Sequence, residues 1–434
     1  MNWFDLYRDR LQTADQAVTK IQSHTRVFLT GNCSVPKTIM AALCRRAPEL
    51  AEVEIVQVLT IGSANYVSPE MNGHLRVNTL FISDNVRAAV NAGRADFTPC
   101  FLSEIPDLFR TGALPLDVAL IQVSPPDDHG FCSFGVEVGV TKTAAQVAKW
   151  VIAEINPRMP RTLGDSFIHI SKLNAIVQVD YALPEVRLAT DDPVAERIAD
   201  HVASLIPDGA TLQTGIGAIP DAVLKRLTNH KDLGIHTELF SDGVIDLFTR
   251  GVITGEKKTF HPGKMVAGFL LGTQKLYDFV NDNPIVELHP TEYVNDPFNI
   301  AQNDRMVAIN SAIEVDLTGQ VCADSIGTRF YSGVGGQVDF IYGASRSKGG
   351  VPIIALSSQL EKKDGSKFSK IVALLKPGAG VVTTRNHVHY IVTEYGVASL
   401  YGKTIAQRVK ALINIAAPEF REELTQKAKE FNYV

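Results

Sequence analysis

Apolar positions along this chain follow two alternating rhythms. Short β-rich runs carry them almost continuously or at every second position: VEIVQVLTI at 53–61, LDVALIQVS at 116–124 and TLQTGIG at 211–217. Between such runs, DNVRAAVNAG at 84–93 and PDAVLKRLTN at 220–229 space them at helical intervals. Strands that alternate with helices predict α/β layers built on largely parallel sheets.

One unit of this alternation is repeated. VFLTGNCSVPKTIMAAL (27–43) and TLQTGIGAIPDAVLKRL (211–227) share a Thr-Gly after a strand, a Pro five residues past that Gly, and the apolar positions of the helix that follows, at an offset of 184 residues. Each copy reads as a strand, a glycine turn and a helix with Pro in its first turn, where the missing N–H costs nothing. Two related α/β domains in tandem are expected. The boundary is placed near 188, in YALPEVRLATDDPVAERIADHV, giving domains 1–188 and 189–434. The C-terminal AAPEFREELTQKAKEF is a charge-faced helix suited to packing on a sheet or on a neighbouring subunit.

Composition narrows the class. At 434 residues the chain exceeds a usual single domain, and its 45% hydrophobic and 21% charged residues are those of an ordinary globular protein. A formal charge of −5 without a basic stripe argues against a nucleic-acid partner. The charged start, MNWFDLYRDRLQ, is no secretory signal, and runs such as MVAGFLLG are too short to span a bilayer, so a cytoplasmic protein without a membrane partner is expected. The cysteines Cys33, Cys44, Cys100, Cys132 and Cys322 stand singly, with no CxxC pair to begin a metal or redox site, and read as packed thiols.

The candidate chemistry lies at glycine turns and strand ends. TGIGAIPDAVL sets Gly215 and Gly217 between a strand and a helix N-terminus, where backbone N–H groups suit an anion or a polarised carbonyl, although such a turn alone is more often plain punctuation. It lacks the third Gly of a dinucleotide fingerprint and the Lys of a phosphate loop. YSGVGGQVDFIYGA (331–344) leads into ASRSKGG, whose Lys348 hints at a phosphorylated group. GIHTELFSDG (234–243) places Glu238, with no Lys or Arg beside it in sequence, where a strand should give way to a loop. TEYG offers a competing strand-end acid in Glu394, whose flanks also suit a turn cap. His387 and His389 share a face if they lie on a strand, but lack a third ligand nearby, so a hydrogen-bonded pair is expected rather than a metal site. Asp127, Asp128 and His129 read as a turn that satisfies its own backbone.

Taken in order, TGIGAIPDAV, GIHTELFSDG, INSAIEVDLTGQV, SGVGGQVDFIYGA with SKGG, and TEYGVASLYGK resemble the acetyl-CoA hydrolase/transferase family of class I CoA-transferases, in its 4-hydroxybutyrate and butyrate:acetate branch. The resemblance covers nearly the whole chain. It implies two tandem open α/β domains with mixed sheets and an active site between them. It also implies a homo-oligomer, and coenzyme A and short-chain carboxylates as substrates with no permanently bound cofactor. In such a family Glu238 is the nucleophile that becomes a glutamyl-CoA thioester, Gln213 and Gly335 are candidates to steady oxyanions, and CoA contacts Gly215, Ile216, Gly217, Ala218, Ile219, Ile313, Gly336 and Lys348. A hydrolase that uses the same glutamate is the nearest alternative. A sugar-phosphate isomerase or ligand sensor would need a phosphate clamp and no such nucleophile.

Overall fold

The computed structural model describes residues 2–187 and 192–434, and the boundary expected near 188 falls outside them. Contacts divide the chain into two compact units, Met1–Arg187 with Val266–Val294, and Leu188–Met265 with Asn295–Val434.

In the first unit seven strands form one sheet in the order Ala175–Gln178, Trp150–Ile155, Val118–Val123, Arg26–Leu29, Val53–Gln57, Leu75–Thr79 and Asp96–Phe97. Every pairing is parallel. The interior strand VALIQV is buried at all six positions, because a parallel strand with helices on both faces has no wet side. The helix Lys37–Arg46 buries Ile39, Met40, Ala42 and Leu43, a stripe at intervals of three and four residues, against a core that includes Val27, Leu29, Ile55 and Leu120.

Residues 266–294 were expected in the second domain and instead pack in the first unit. The physical reason is that the run is apolar and its hydrogen-bond partners at Val136 and Leu163–Gly164 lie in that unit. MVAGFLLG is buried at every position from 265 to 272, which no surface connection would allow. Leu270 N–H donates to the Val136 carbonyl at 2.9 Å, and Val286–Leu288 pairs in parallel with Leu163–Gly164.

The second unit repeats the plan. Thr211–Gln213, the strand of the internal echo, lies between Gly234–Phe240 on one side and Met306–Ser311 on the other, followed outward by Val351–Ala355 and Tyr390–Thr393, all parallel. Gly396–Ser399 turns back antiparallel to Tyr390–Thr393 and makes the sheet mixed. Both units set the echo strand mid-sheet, with its sequential neighbour on one side and three later parallel strands stepping away on the other. Among the described residues no helix is long and apolar enough to cross a membrane. All five cysteines are free.

Candidate functional site

Glu238 is the fifth residue of the strand GIHTELF, which runs on through Phe240 rather than ending at the acid. Leu239 and Phe240, which carry the strand two residues past the acid, are buried. Glu238 as a whole residue is intermediate in exposure, and its carboxylate makes no ion pair among the described residues. Its one side-chain partner there is Asn295, whose Nδ2 donates to Glu238 Oε2 at 2.9 Å. The same amide lies 3.4 Å from Asp339 Oδ2, and the Asn295 Oδ1 meets no hydrogen-bond partner. Burial pushes the Glu238 carboxyl above its ordinary value, and the Asn295 hydrogen bond pulls it part of the way back.

Gly336 closes the other side. A Cβ on this residue would stand 1.9 Å from Glu238 Oε2 and 2.3 Å from Asn295 Nδ2, so only glycine fits. Gly336 is also the N-cap of the helix Gln337–Arg346, and no side chain caps that helix. Its first N–H groups and positive end therefore start beside the carboxylate, an arrangement that favours negative charge. Gly335 precedes it with φ +59, the left-handed conformation that glycine adopts without strain. Gln337 fixes the helix start, donating to the Ser311 carbonyl at 2.7 Å and accepting from Thr383 Oγ1 at 2.9 Å.

A second feature is a cavity of about 260 Å³ whose wall includes Ile216, Gly217, Ala218, Ile219, Ser311 and Lys370. The helix Ala218–Arg226 begins on this wall, again with a glycine N-cap, Gly217 at φ +117, and without a side-chain cap. The turn has its conformation because Gly217 can hold that φ; a Cβ there would meet nothing within 4 Å, so the constraint is the backbone and not space.

The expected residues thus fall into separate places. Gly335 and Gly336 lie at Glu238, whereas Ile216, Gly217, Ala218 and Ile219 line the cavity, with Gly215 just before them and Ile313 two residues past the lining Ser311. Gln213 is buried, and its side-chain carbonyl accepts from Asn310 Nδ2 at 3.0 Å, which leaves its amide hydrogens as the donating end. Lys348 is not in the cavity wall; it is 89% exposed, 3.9 Å from Asp304 Oδ2.

The competing residues have structural partners. Glu394 is buried and accepts from Ser358 N–H at 2.8 Å and Ser358 Oγ at 2.6 Å, so it ties down a neighbouring loop. His387 and His389 precede the strand Tyr390–Thr393 rather than lying on it; His387 packs on Tyr342 and His389 on Tyr401. Asp127 Oδ1 accepts from His129 and Phe131 N–H, both at 2.9 Å, as a turn residue. Sequence reasoning missed Asn295, because an Asn before Asp-Pro looks like a helix-entry residue, and Lys370, which nothing in KFSKIV sets apart.

With this geometry in view, the likenesses to known proteins are informative. Residues 2–186 match the acetyl-CoA hydrolase/transferase N-terminal domain and residues 272–428 its C-terminal domain. The chain is 53% identical to the 4-hydroxybutyrate coenzyme A transferase of Clostridium kluyveri, over 99% of each sequence. It is 47% identical to a succinyl-CoA:acetate/propanoyl-CoA:succinate CoA transferase of Fasciola hepatica, over 95% of this chain and 86% of that one. The crystal structure of a 4-hydroxybutyrate CoA-transferase from Porphyromonas gingivalis superposes with a TM-score of 0.85 at 43% identity, covering 99% of this chain and 100% of the other. The protein therefore belongs to the acetyl-CoA hydrolase/transferase family.

Proposed function

We propose that the protein is a CoA-transferase that moves CoA between short-chain carboxylic acids, with acetyl-CoA and 4-hydroxybutyrate or butyrate as the pair, and that Glu238 carries the reaction. The observation behind this reading is the carboxylate of Glu238, unpaired with any cation among the described residues, oriented by the Asn295 amide and set against a glycine at a helix start. A carboxylate that must attack a carbonyl is weakened by a tight cationic partner and helped by desolvation, which raises its basicity. The relatives' activities, and full-length identity to them, support the choice of reaction.

In this mechanism a Glu238 oxygen adds to the thioester carbonyl of acyl-CoA, and the C–S bond breaks to release CoA thiolate and leave an acyl-glutamyl anhydride. The thiolate then adds to the glutamyl carbonyl of the anhydride, and the first acid leaves as its carboxylate. The resulting glutamyl-CoA thioester is attacked by the second carboxylate, and the sequence runs in reverse to give the new acyl-CoA. No proton or oxidant is consumed. Each addition forms an oxyanion that preorganised N–H donors stabilise, and the helix start at Gly336 and the Gln213 amide are the groups assigned to that task. The assignments of Gly215, Ile216, Gly217, Ala218, Ile219, Ile313 and Gly336 to CoA follow the same reading; Lys348, at the surface beside Asp304, has less support.

A panel of acyl-CoA donors against carboxylate acceptors, with a water-only control, tests the proposal. Acceptor-dependent formation of new acyl-CoA is expected, and the mass of a CoA adduct should appear on the Glu238 peptide when acceptor is withheld. Release of free acid and CoA at an equal rate in water alone would make the enzyme a hydrolase.

A further inference from the structure

Asn295 meets two carboxylates through one amide nitrogen. Its Nδ2 lies 2.9 Å from Glu238 Oε2 and 3.4 Å from Asp339 Oδ2, so each amide hydrogen has an acceptor. All three residues belong to the second unit. The other end of the amide is held by nothing: Asn295 is fully buried, and its Oδ1 meets no hydrogen-bond donor among the described residues. A side-chain amide can make half a turn about its last bond and exchange oxygen for nitrogen in nearly the same space. What prevents the exchange here acts from the carboxylate side alone, because the turned amide would set its oxygen against the oxygens of Glu238 and Asp339.

Asp339 is the third residue of the helix Gln337–Arg346, the same helix whose glycine start crowds Glu238. An acid in the first turn of a helix complements the positive helix end and usually faces water. This one is only 3% exposed and is turned inward onto the Asn295 amide. The reaction treats the two carboxylates differently. In the proposed mechanism Glu238 is a carboxylate at the start and the end, but as anhydride or glutamyl-CoA thioester it presents a neutral carbonyl, a poorer acceptor. Asp339 forms no bond in the reaction and keeps its oxygens throughout.

We infer that Asp339 is a positioning residue that keeps the Asn295 amide nitrogen directed at residue 238 while that residue is acylated. The inference rests on the CoA-transferase reading and adds to it a residue that acts through Asn295 without touching the reacting atoms. Its effect falls on discharge of the thioester. There the acceptor carboxylate adds to the glutamyl carbonyl, whose oxygen takes the negative charge, and the C–S bond then breaks to release CoA thiolate and leave the anhydride. An Asn295 N–H aimed at that oxygen stabilises the addition, and an amide turned the other way opposes it.

The test is a double-mutant cycle on that step. The CoA adduct is formed with acetyl-CoA in the absence of acceptor, freed of ligands by rapid gel filtration and mixed with acetate or 4-hydroxybutyrate, and the loss of adduct mass is followed with time. Asp339→Leu, which keeps the bulk and removes the acceptor, should slow discharge by about fivefold in the otherwise native chain, but by less than about twofold in an Asn295→Ala background. Asp339→Asn, which retains one acceptor oxygen, should fall between wild type and the Leu variant, and it carries the same cycle if the Leu variant does not fold. Equal slowing in both backgrounds would show that Asp339 acts on the helix and not through Asn295, and would overturn the inference. Discharge at the wild-type rate in the folded variant would overturn it as well. Wild type that forms no adduct and transfers no CoA would instead defeat the functional reading on which the inference stands.

Discussion

The carboxylate of Glu238 is held by one amide and crowded by one glycine, so substitutions at these three residues should separate nucleophilicity from orientation. Glu238→Ala is expected to lower transfer by at least about a thousandfold and to abolish the CoA adduct, and Glu238→Asp to come close to it, since one methylene withdraws the oxygen from attack distance. Stopped assays with intact-protein mass spectrometry read both. Asn295→Ala should reduce kcat by about tenfold, the scale of one hydrogen bond worth on the order of 1.4 kcal/mol. It should also move the acid side of the pH profile. Glu238 must be ionised to attack, and burial raises its folded pKa, so kcat/KM falls as pH drops through a value above the ordinary carboxyl range. The Asn295 hydrogen bond opposes that rise, so its removal shifts the acid limb to higher pH. An acid limb that stays in place in the Ala variant would show that this amide does not tune Glu238.

At the scale of elements, the helix start at Gly336 and the loop held by Glu394 carry opposite expectations. Gly336→Ala puts a methyl group 1.9 Å from the Glu238 oxygen, so the carboxylate or the helix must shift. Activity should fall by at least about a hundredfold, because misplacement on the ångström scale is that costly in a preorganised site. The urea midpoint distinguishes this local displacement from global unfolding. Glu394→Ala removes the acceptor from Ser358 and leaves a buried N–H unpaired, a loss of about 1–3 kcal/mol in stability. The CoA adduct on Glu238 should still form in that variant; an adduct that fails to form while the fold persists would return Glu394 to the chemistry.

For the molecule as a whole, the clearest electrostatic signature lies in the first unit. Glu137 and Glu154 are both buried carboxyls pushed up to about 7, chiefly by desolvation, against hydrogen bonds from Asn32 to Glu137 and from Tyr181 and Ile39 to Glu154. The folded value exceeds the unfolded one, so between pH 4.5 and 7 the folded state holds protons that the unfolded state has lost. Their contribution is full below pH 4.5 and declines as pH rises toward 7. Urea titrations at pH 5 and 7.5 should show wild type losing a few kcal/mol over this window relative to a Glu137→Gln, Glu154→Gln variant. A variant with the same pH slope as wild type would show that these carboxyls bind protons alike in the folded and unfolded states.

Much of this could be read from residues in order. The alternation of β-rich and helical runs determined the α/β layers, because buried parallel strands need apolar residues on both faces and amphipathic helices to cover them. The echo at 27–43 and 211–227 determined a repeated strand-turn-helix, since a Thr-Gly after a strand and a Pro five residues on punctuate both copies alike. Ordered motifs around Glu238 determined the family. Tertiary structure alone decided the rest. It returned residues 266–294 to the first unit, because an apolar run can be recognised as buried from sequence but not assigned to a particular core. It brought Asn295, 57 residues away, onto the carboxylate, and set Gly336 within a methyl group's radius of it. It also placed Lys370 in the cavity beside Gly217. These relations depend on distances between residues far apart in the chain, which local periodicity and turn chemistry do not encode.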